Sequence, residues 1–520
     1  MDILKLYVFF VSIVLNDCAN ILYSIPFTSK SHYIMLRPIG LELARRGHNV
    51  TVITPFREKD PPANYHEVMV DLKEIWETIG MERPNVFTMV DLSSEEFLNK
   101  ILWDGGLAFT EVALNSIDVQ KFLKADHKFD IVVGEQFFQE AFYSLAHKYQ
   151  APLVLVTTSG NYMRCNIAMR NPLQLSTVVA DYLIVKDPKS FWGRFRNAYY
   201  VMYEFFWWKY WYLPMQEALI PKYIPNLPEP VPRLYDVQSN VSLLLINSHF
   251  SFEGPVAYLP NIVEVGGLHL SKSDSELPKD FQKILDNAKY GVVYVNFGSN
   301  VRSSELPLAK KQAFLKVFSE LKQTVIWKWE DDTLTNIPSN IVIRKWLPQK
   351  EILAHPNIKV FIAHGGLIGM QEAIFNGVPI MGIPIYADQY NNLLDAENIG
   401  FGKMLQYHDI NEESLIRSLN DMISNASYGR KAKEISRRFK DRPMTALDTA
   451  IFWIEYVIRN NGADYMKNPA LSMSWIESNM LDVYGFVIVV DLVIIYVFIK
   501  MVKFLLGIGK KSVTEKKKRN

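Results

Sequence analysis

Short apolar runs that end at turn residues recur along the first part of the chain. Residues 21–26 and 50–54 have the length and composition of buried strands. Between them, residues 38–46 have helical spacing and stop at Gly47, a residue type that often follows the last turn of a helix. A polar loop that contains His32 precedes this predicted helix. The strand–helix–strand order predicts the start of a parallel α/β sheet.

The same alternation returns further along the chain in two series. The first series has a strand at 130–134, a helix at 141–149 and a strand at 153–156. The second series has a helix at 306–321 and strands at 291–297, 324–329, 341–344, 360–363 and 378–382. Both series therefore indicate parallel sheets with helical crossovers.

A glycine-containing, polar stretch separates the two series. It includes Gly266-Gly267 and the polar run 271–275, so we expect a linker within residues 266–285. We therefore predict an α/β fold of two Rossmann-like, doubly wound domains, at residues 20–275 and 276–480, that face each other across a cleft. In sheets of this kind ligands bind at the carboxyl ends of the strands.

The two ends of the chain carry apolar segments of different lengths. The segment within residues 1–19 is too short to span a membrane and predicts a cleaved signal peptide. Residues 483–503 form a longer apolar segment, and we predict a transmembrane helix there. Asp491 at its centre costs about 3 kcal/mol of insertion free energy, which the surrounding aliphatic and Phe side chains outweigh.

Charge and short motifs predict how the chain is oriented. Lysines follow the apolar segment, so the basic tail 504–520 is expected in the cytosol and the rest in the lumen, a single-pass type I topology. The lysines at positions 517 and 518 resemble the dilysine signal of proteins of the endoplasmic reticulum membrane. Asn49, Asn240 and Asn425 lie in glycosylation sequons, which fits luminal exposure.

Composition narrows the classes of function. The chain has 520 residues, of which 49% are hydrophobic, so it can bury large cores. Its net charge of +1 gives no reason to expect a nucleic-acid partner. Cys18 lies in or next to the predicted signal peptide, and removal of the peptide together with Cys18 would leave Cys165 without an internal disulfide partner.

Residues 191–212 have an unusual density of aromatic side chains. Arg194, Arg196, Glu204 and Lys209 make this segment too charged to span a membrane. Two interpretations stay open. The segment is either an aromatic core or wall of an acceptor pocket, or an interfacial segment that rests on a membrane.

Residue types suited to a nucleotide diphosphate follow one strand of the second series. His364 lies at the strand end, and Gly366 and Gly369 let the backbone and the start of the next helix approach a pyrophosphate. Glu372 lies one turn further, placed to accept hydrogen bonds from ribose hydroxyls. Trp346, before this strand, offers a stacking surface for a base.

The segment ends at Asp388 and Gln389, which together offer donors and acceptors to sugar hydroxyls. Here the sequence resembles the UDP-glycosyltransferase family of animals, whose signature has Trp-x-Pro-Gln, His-Gly-Gly, Glu-Ala and Asp-Gln in this order. The matching residues are Trp346, Pro348, Gln349, His364-Gly365-Gly366, Glu372-Ala373 and Asp388-Gln389. Ser299, in Phe297-Gly298-Ser299, is similar to the family's phosphate-contacting loop.

The resemblance covers nearly the whole chain, and it implies a GT-B fold and an inverting transfer of sugar without a metal. The UDP-sugar is then a co-substrate, and no cofactor is implied. The sequence agrees, because it contains neither an Asp-x-Asp motif nor a His-x-x-x-His pair. His364, Ser299 and the helix after Gly366 would stabilise the leaving UDP in place of a metal.

His32 is similar to the family's general base. A neutral histidine can take the proton of an acceptor hydroxyl as that oxygen attacks the anomeric carbon. An acid should orient this base. Where the family usually has Asp, this chain has Glu135, which is one methylene longer. Glu135 is therefore either the partner of His32 or a structural carboxylate at a strand end.

The resemblance implies an enzyme of detoxification type that binds a UDP-sugar, a small lipophilic acceptor and a membrane. Glucose is the sugar expected of an insect-like member, and glucuronate is the alternative. Two other hypotheses stay open: a non-catalytic protein that binds UDP-sugars at the membrane, and a transferase that acts on membrane lipid. The sequence also leaves a homo-oligomer or hetero-oligomer open.

Overall fold

The structure is a computed structural model, and it describes residues 18–71, 85–270, 276–332 and 334–517. Within this range the chain divides into two compact units, the first ending at Lys467 and the second beginning at Asn468. Most of the predicted signal peptide, residues 1–17, lies outside the described residues. So do the polar run 271–275 of the predicted linker and the last three residues of the tail.

The first unit begins with a seven-stranded parallel sheet in the order β3-β2-β1-β4-β5-β6-β7. Its strands are β1 (Asn20–Ser24), β2 (Asn49–Thr54), β3 (Tyr65–Met69), β4 (Ile131–Glu135), β5 (Leu153–Val156), β6 (Leu243–Ile246) and β7 (Ile262–Glu264). The four strands predicted in this half are confirmed. They are the adjacent strands β2, β1, β4 and β5, and their long apolar runs reflect burial on both faces.

A second parallel sheet of six strands follows in the order β10-β9-β8-β11-β12-β13. Its strands are β8 (Val292–Asn296), β9 (Thr324–Lys328), β10 (Ile341–Arg344), β11 (Ile358–Ala363), β12 (Ile380–Gly382) and β13 (Gly402–Met404). The five strands predicted here are confirmed. In each sheet the strand order reverses beside the first strand, which is the switch point at which such folds bind ligands.

Helices cover both sheets. The described α-helices are Lys30–Arg45, Ser94–Glu96, Asp104–Asn115, Ile117–Lys124, Ser144–Tyr149, Met163–Ala168, Phe191–Trp207, Leu213–Tyr223, Leu234–Ser239, Phe250–Glu253, Lys279–Asp286, Leu308–Glu320, Gln349–Leu353, Leu367–Asn376, Gln389–Ile399, Glu412–Ser424, Ala426–Lys440, Ala446–Arg459, Trp475–Ser478 and Leu481–Lys517. The turns Phe97–Trp103 and Trp208–Tyr212 are π-helical. The predicted helix at 141–149 is a 3₁₀ turn, Glu140–Tyr143, followed by an α-helix.

The first helix begins earlier than the sequence predicts. We predicted a loop around His32 and a helix from residue 38, but the helix runs through Lys30–Arg45 with Pro38 inside it. Pro38 removes one backbone hydrogen bond. The helix tolerates this loss because Tyr33 and Leu36, before the proline, are buried against the sheet. His32 therefore lies in the first turn of a helix and not in a loop, so its backbone is held firmly.

One helix of the second half packs on the first sheet. Ala446–Arg459 buries Ala450, Ile451 and Ile454 in the same apolar cluster as β1, β2, β4 and β5. Arg46, just after the first helix, donates to Asp448 at 2.9 Å and so ties the two helices together. After completing the second sheet, the chain thus returns to pack on the first one. The predicted division at residue 275 assigns this helix to the second domain.

The second unit contains the long helix Leu481–Lys517. Its stretch Leu481–Leu506 is long and apolar enough to cross a membrane, by length and composition. This stretch includes the predicted span 483–503, and the helix continues into the predicted tail 504–520 as far as Lys517. The predicted apolar C-terminal helix is therefore confirmed, whereas its topology stays a prediction.

Candidate active site

A cleft of about 1390 Å³ lies between the carboxyl ends of the two sheets. Both halves line it. The predicted site residues in its wall are His32, Ser299, Trp346, Gln349, His364, Gly366, Gly369, Glu372, Asp388 and Gln389. Glu135 lies behind His32 in the wall of the first sheet, where it is 4% exposed. The structure therefore brings all the predicted catalytic and donor residues to one place.

His32 and Glu135 form a hydrogen-bonded pair. The Nδ1 atom of His32 is 2.5 Å from Oε1 of Glu135, which is the last residue of β4. Because Nδ1 faces the carboxylate, the proton rests there and Nε2 carries the basic lone pair. The longer Glu side chain thus reaches the histidine.

Aromatic rings fix the plane of the His32 imidazole. Its centroid lies 4.9 Å from that of Phe27 and 4.8 Å from that of Phe137. Only 15% of the His32 side chain is exposed, against 2% for Glu135. The base is therefore partly open to the cleft, while its carboxylate partner is enclosed and unable to turn away.

Thr158 completes this corner, although no sequence pattern predicts it. Its hydroxyl donates to Oε1 of Glu135 at 3.0 Å and lies 3.0 Å from Nδ1 of His32. Thr158 follows β5, as Glu135 ends β4. The signal that could have found it is the position of a buried hydroxyl residue just beyond a central strand.

The phosphate corner is built from close contacts between glycines and His364. A Cβ atom on Gly298 would lie 2.8 Å from Cε1 of His364, and one on Gly366 would lie 2.6 Å from Nε2. Gly298 also has a φ of +88°, a conformation that favours glycine. Side chains other than hydrogen would therefore push the imidazole out of place.

Two buried polar atoms in this corner make no hydrogen bond to the described residues. The Nδ1 atom of His364 and the Oγ atom of Ser299 are buried and have no hydrogen-bond partner among the described residues. Desolvation, assisted by the Lys328 ammonium, lowers the pKa of His364 to about 4. The imidazole is therefore neutral near pH 7 and can donate one hydrogen bond to an anionic oxygen.

The helix Leu367–Asn376 begins beside these atoms. Gly366 is its N-cap residue and supplies no side-chain cap for the first amide groups of the helix, of which that of Leu367 is bonded to the Asp388 carboxyl. The ten-residue helix adds its dipole to these amides. Together with His364 and Ser299, this helix start has the chemistry of a pyrophosphate site.

Gln349 and Glu372 form the next corner of the cleft. The amide nitrogen of Gln349 donates to Oε2 of Glu372 at 2.5 Å, and Asn296 donates to the oxygen of Gln349 at 2.6 Å. Burial raises the pKa of Glu372 to about 7, although the bond from Gln349 opposes this rise. Gly369 lies on the same helix, with its Cα hydrogen toward the Gln349 amide. This corner can accept hydrogen bonds from vicinal hydroxyls.

His269 is a further residue of this corner that the sequence analysis missed. It belongs to the segment after β7, and its Nε2 atom lies 3.9 Å from Oε1 of Glu372. Burial, assisted by Lys350, lowers the pKa of His269 to about 3. The imidazole is therefore neutral beside Glu372. The only signal in the sequence is a histidine shortly after Gly266-Gly267.

Three remaining donor residues have distinct environments. The Trp346 ring is 59% exposed at the cleft edge, so one face is open for stacking. Desolvation raises the pKa of the Asp388 carboxyl, while a bond from Asn392 at 2.9 Å holds it in place. The side-chain oxygen of Gln389 accepts from the backbone at Ile385, so its amide nitrogen is the group it can offer to a sugar.

The predicted sequons differ in their surroundings. Asn49 is the first residue of β2, is partly buried and donates to Asn20. Asn240 and Asn425 are exposed, the former accepting from Lys467 at 2.7 Å and the latter capping a helix. Among the described residues, no three His, Cys, Asp or Glu side chains are grouped so that they could hold a metal ion.

Comparisons with known proteins agree with this cleft. The family model described as UDP-glucoronosyl and UDP-glucosyl transferase matches residues 20–519. UDP-glycosyltransferase UGT5 of Dactylopius coccus is 33% identical, over 93% of this chain and 91% of its own length. UDP-glucosyltransferase 2 of the same insect is 34% identical, over 94% and 93%. UDP-glucuronosyltransferase 2B19 of Macaca fascicularis is 27% identical, over 91% of each chain.

Solved structures share the fold. A UDP-glucosyltransferase from Polygonum tinctorium superposes with a TM-score of 0.57 at 16% identity, covering 85% of this chain and 98% of that one. The glycosyltransferase SpnP, a spinosyn forosaminyltransferase, superposes with a TM-score of 0.54 at 17% identity, covering 85% and 99%. These neighbours confirm the predicted GT-B fold. The family model and the relatives, which match nearly the whole chain, identify the class of reaction. The chain therefore belongs to the family of UDP-glucuronosyl and UDP-glucosyl transferases, and it is a UDP-glycosyltransferase.

Proposed function

We propose that this enzyme transfers glucose from UDP-glucose to a hydroxyl of a small lipophilic acceptor, with inversion at the anomeric carbon. The observation that carries the proposal is the His32–Glu135 pair, 2.5 Å between Nδ1 and Oε1, at the wall of the donor cleft. This pair supplies a base whose second nitrogen is available, and the opposite wall supplies a site for a nucleotide diphosphate.

In the proposed reaction Nε2 of His32 takes the proton of the acceptor hydroxyl. The oxygen attacks the anomeric carbon from the face opposite to UDP, and the bond from that carbon to the phosphate oxygen breaks. Glu135 and Thr158 orient the imidazole and stabilise its positive charge. Charge develops on the leaving diphosphate, where His364, Ser299 and the helix amides can donate hydrogen bonds. We propose that no metal takes part.

The acceptor end of the cleft is apolar. Its wall in the first half includes Phe97, Ile101, Leu102, Phe109 and Phe137. These rings and aliphatic chains surround the approach to His32 and offer it few polar partners. An apolar wall beside one catalytic base suits a molecule with a single reactive hydroxyl on a hydrophobic frame.

Charge near the base favours a neutral sugar. Glu135 bonds to His32, and Asp388 interacts with His32 electrostatically. Of these two acidic groups, Asp388 lines the cleft, where it would repel the extra carboxylate of glucuronate, whereas the hydroxyls of glucose can donate to it. We therefore propose glucose, and glucuronate remains the alternative that a donor panel decides.

The location of the enzyme is also a proposal. The apolar helix Leu481–Leu506 and the basic residues that follow support a single-pass anchor with a cytosolic tail. The exposed sequon residues Asn240 and Asn425 suit a luminal catalytic part. The membrane proposed is that of the endoplasmic reticulum.

The experiment is a turnover assay in microsomes that hold the full chain. UDP-glucose, UDP-glucuronate and UDP-galactose are offered with a panel of phenols and steroids. We expect turnover with UDP-glucose and its loss in His32→Ala. The matched control is His408→Ala, because His408 is an exposed histidine away from the cleft.

Four outcomes would change the proposal. Faster turnover with UDP-glucuronate would replace glucose. Unchanged turnover in His32→Ala would remove the base. UDP binding without turnover of any acceptor would favour the non-catalytic protein. A Glu135→Gln variant with full activity would assign Glu135 a structural role only.

A further inference from the structure

The aromatic segment has two different faces. Tyr200, Trp208 and Tyr212 are fully buried, so part of the segment belongs to the core of the first half. The other face is exposed to solvent. We call the aromatic face the exposed residues Phe191, Trp192, Phe195, Tyr199, Met202, Phe206, Trp207, Tyr210 and Trp211, whose exposure runs from 39% for Trp211 to 72% for Trp192. The interpretation of this segment as part of a core therefore explains fewer than half of its aromatic rings.

The aromatic face follows one side of the helix Phe191–Trp207. Trp192, Phe195, Tyr199, Met202 and Phe206 are spaced by three or four residues, which places them in one stripe. A surface helix normally turns such a stripe toward the core and its polar side toward water. Here the exposed side is the apolar one, and an apolar patch of this extent marks an interaction surface.

Charges around the aromatic face are mostly positive. Lys189 and Arg194 lie near its first turn, and Lys209 lies beside its last turn. The only acidic residue within Phe191–Trp207 is Glu204, which is buried and bonded to Arg164 at 2.8 Å. The neighbouring acidic residues are exposed Asp187 and Glu95, which bonds to Arg196, so Lys189, Arg194 and Lys209 leave this rim with a net positive charge that attracts anionic groups.

These residue types fit the surface of a phospholipid bilayer. Trp and Tyr prefer the interface between headgroups and hydrocarbon, because one part of each ring system is apolar and another can donate a hydrogen bond. Lysine and arginine at the rim suit lipid phosphates. Protein interfaces are also enriched in aromatic residues and Arg but depleted in Lys, so the lysines at the rim favour the bilayer.

A bilayer is within reach of the aromatic face. Thirteen residues separate Lys467, the end of the first unit, from the apolar stretch Leu481–Leu506. Even fully extended, such a link spans only about 45–50 Å. If the apolar stretch is inserted in a membrane, this link keeps the catalytic unit within that distance of the membrane.

The aromatic face is one element away from the acceptor end of the cleft. The turn Phe97–Trp103 lies between them, because Phe97, Ile101 and Leu102 line the cleft. On its other side, Asn99 donates to the hydroxyl of Tyr203 at 2.8 Å, and the rings of Trp103 and Trp211 are 5.8 Å apart. Contact of the aromatic face with lipid would therefore place the acceptor entrance near the membrane surface.

We propose that the aromatic face is a second membrane contact, which rests on the headgroup region of a bilayer and lets lipophilic acceptors pass from the lipid to the cleft. This proposal goes beyond the transfer reaction. It concerns where the acceptor is collected, and it holds for any sugar that the donor site accepts.

The first test measures the depth of single probes. The full chain with Cys18→Ser is reconstituted in nanodiscs of phosphatidylcholine and phosphatidylserine, and one fluorophore is attached to Tyr199→Cys. The matched control is Ile117→Cys, an isolated exposed apolar residue of the same half. Doxyl-labelled lipid should quench the probe at position 199 and leave the probe at position 117 unchanged. Equal quenching at the two positions would overturn the proposal.

A second copy of the chain is the other occupant that the test must separate from lipid. The probe at position 199 is therefore also measured in detergent, with the size of the particle determined by sedimentation. Shielding of the probe in a dimer, without quenching by lipid, would make the aromatic face a protein interface and overturn the proposal. Quenching in single-chain nanodiscs supports the membrane contact.

The second test measures acceptor use with Trp192→Ser, Phe195→Ser and Phe206→Ser combined. With a lipophilic acceptor in vesicles, we expect its apparent KM to rise by about fivefold, because the entrance lifts from the membrane surface. KM for UDP-glucose, and turnover of a water-soluble acceptor, should not change. Ile117→Ser is the control. An unchanged KM for the lipophilic acceptor would contradict the proposal, whereas loss of all turnover would instead question the transfer reaction.

Discussion

The two walls of the cleft are assembled in different ways. The donor wall takes most of its residues from one stretch of the second sheet, between Trp346 and Gln389. The catalytic corner takes His32 from the first turn of the helix after β1, Glu135 from the end of β4 and Thr158 from just beyond β5. One strand and the helix that follows it can form most of a nucleotide-binding site. A catalytic base needs in addition an orienting group, which here comes from a distant part of the sequence. The following predictions test this difference.

The largest expected effect is on the catalytic corner. His32→Ala should lower kcat/KM by about 10³-fold, since general base catalysis contributes about 10²–10⁴-fold. The affinity for UDP-glucose, measured by calorimetry, should stay within about twofold, because the donor wall is a separate assembly. Loss of donor affinity in the same variant would show that the two walls are not independent.

The next effect concerns the donor wall. Gly366→Ala should weaken UDP-glucose binding by about 10–100-fold, because a Cβ atom there would lie 2.6 Å from Nε2 of His364. Gly369→Ala is the control, since its nearest neighbour would be the Gln349 amide at an ordinary 3.5 Å. Similar affinities of the two variants would refute the argument from close packing.

A smaller effect is expected from the group that positions the base. Thr158→Val removes the hydroxyl that donates to Glu135 and should lower kcat by about tenfold, with KM for UDP-glucose unchanged. Thr158→Ser should recover most of the rate. A pH profile of kcat should shift in Thr158→Val and return in Thr158→Ser, which a merely structural role would not produce.

The change of donor affinity with pH should be no larger than the effect of Thr158→Val on kcat. Burial raises the pKa of Glu372 from 4.5 to about 7. Its contribution to the free energy of unfolding is therefore fully present below pH 4.5 and is lost as the pH rises through 7, a change of about 3 kcal/mol. Ribose hydroxyls donate to the ionised carboxyl. UDP-glucose affinity should therefore fall by about tenfold from pH 8 to pH 6.

Glu372→Gln is the matched variant for this measurement. Its affinity for UDP-glucose should be nearly constant between pH 6 and pH 8, and its ligand-free form should be more stable than the wild type at pH 8. Affinity is measured in the His32→Ala background to prevent turnover. A wild-type affinity that does not change with pH would show that Glu372 binds the donor in its protonated form.

The same contrast explains what the sequence could predict. The donor residues were found because glycines, His364 and Glu372 have fixed spacings within one strand–helix unit. Thr158 and His269 were missed because their roles depend on contacts with distant residues, and a lone hydroxyl or imidazole has no local pattern. The base itself was found only through family resemblance.

The fold shows a similar limit. Central strands such as β4 and β5 are continuous apolar runs and were predicted. The edge strands β3, β7 and β13 were missed, because a half-polar or three-residue segment resembles a loop. The interior strand β6, a buried run of four aliphatic residues, was missed as well. Pro38 was read as a helix start, although burial of the residues on both sides keeps it within a helix.

The helix Ala446–Arg459 has a consequence for the order of synthesis. The first sheet is translated early, yet this late helix packs against β6 and covers part of its apolar surface. While the ribosome synthesises the second half, that apolar surface of the first half is exposed to solvent. Such an intermediate is prone to aggregate. Chaperones that bind the nascent chain would therefore be most needed after the first sheet has emerged and before residue 459 has, and a stop codon in that interval would leave a half-protein that cannot close its own core.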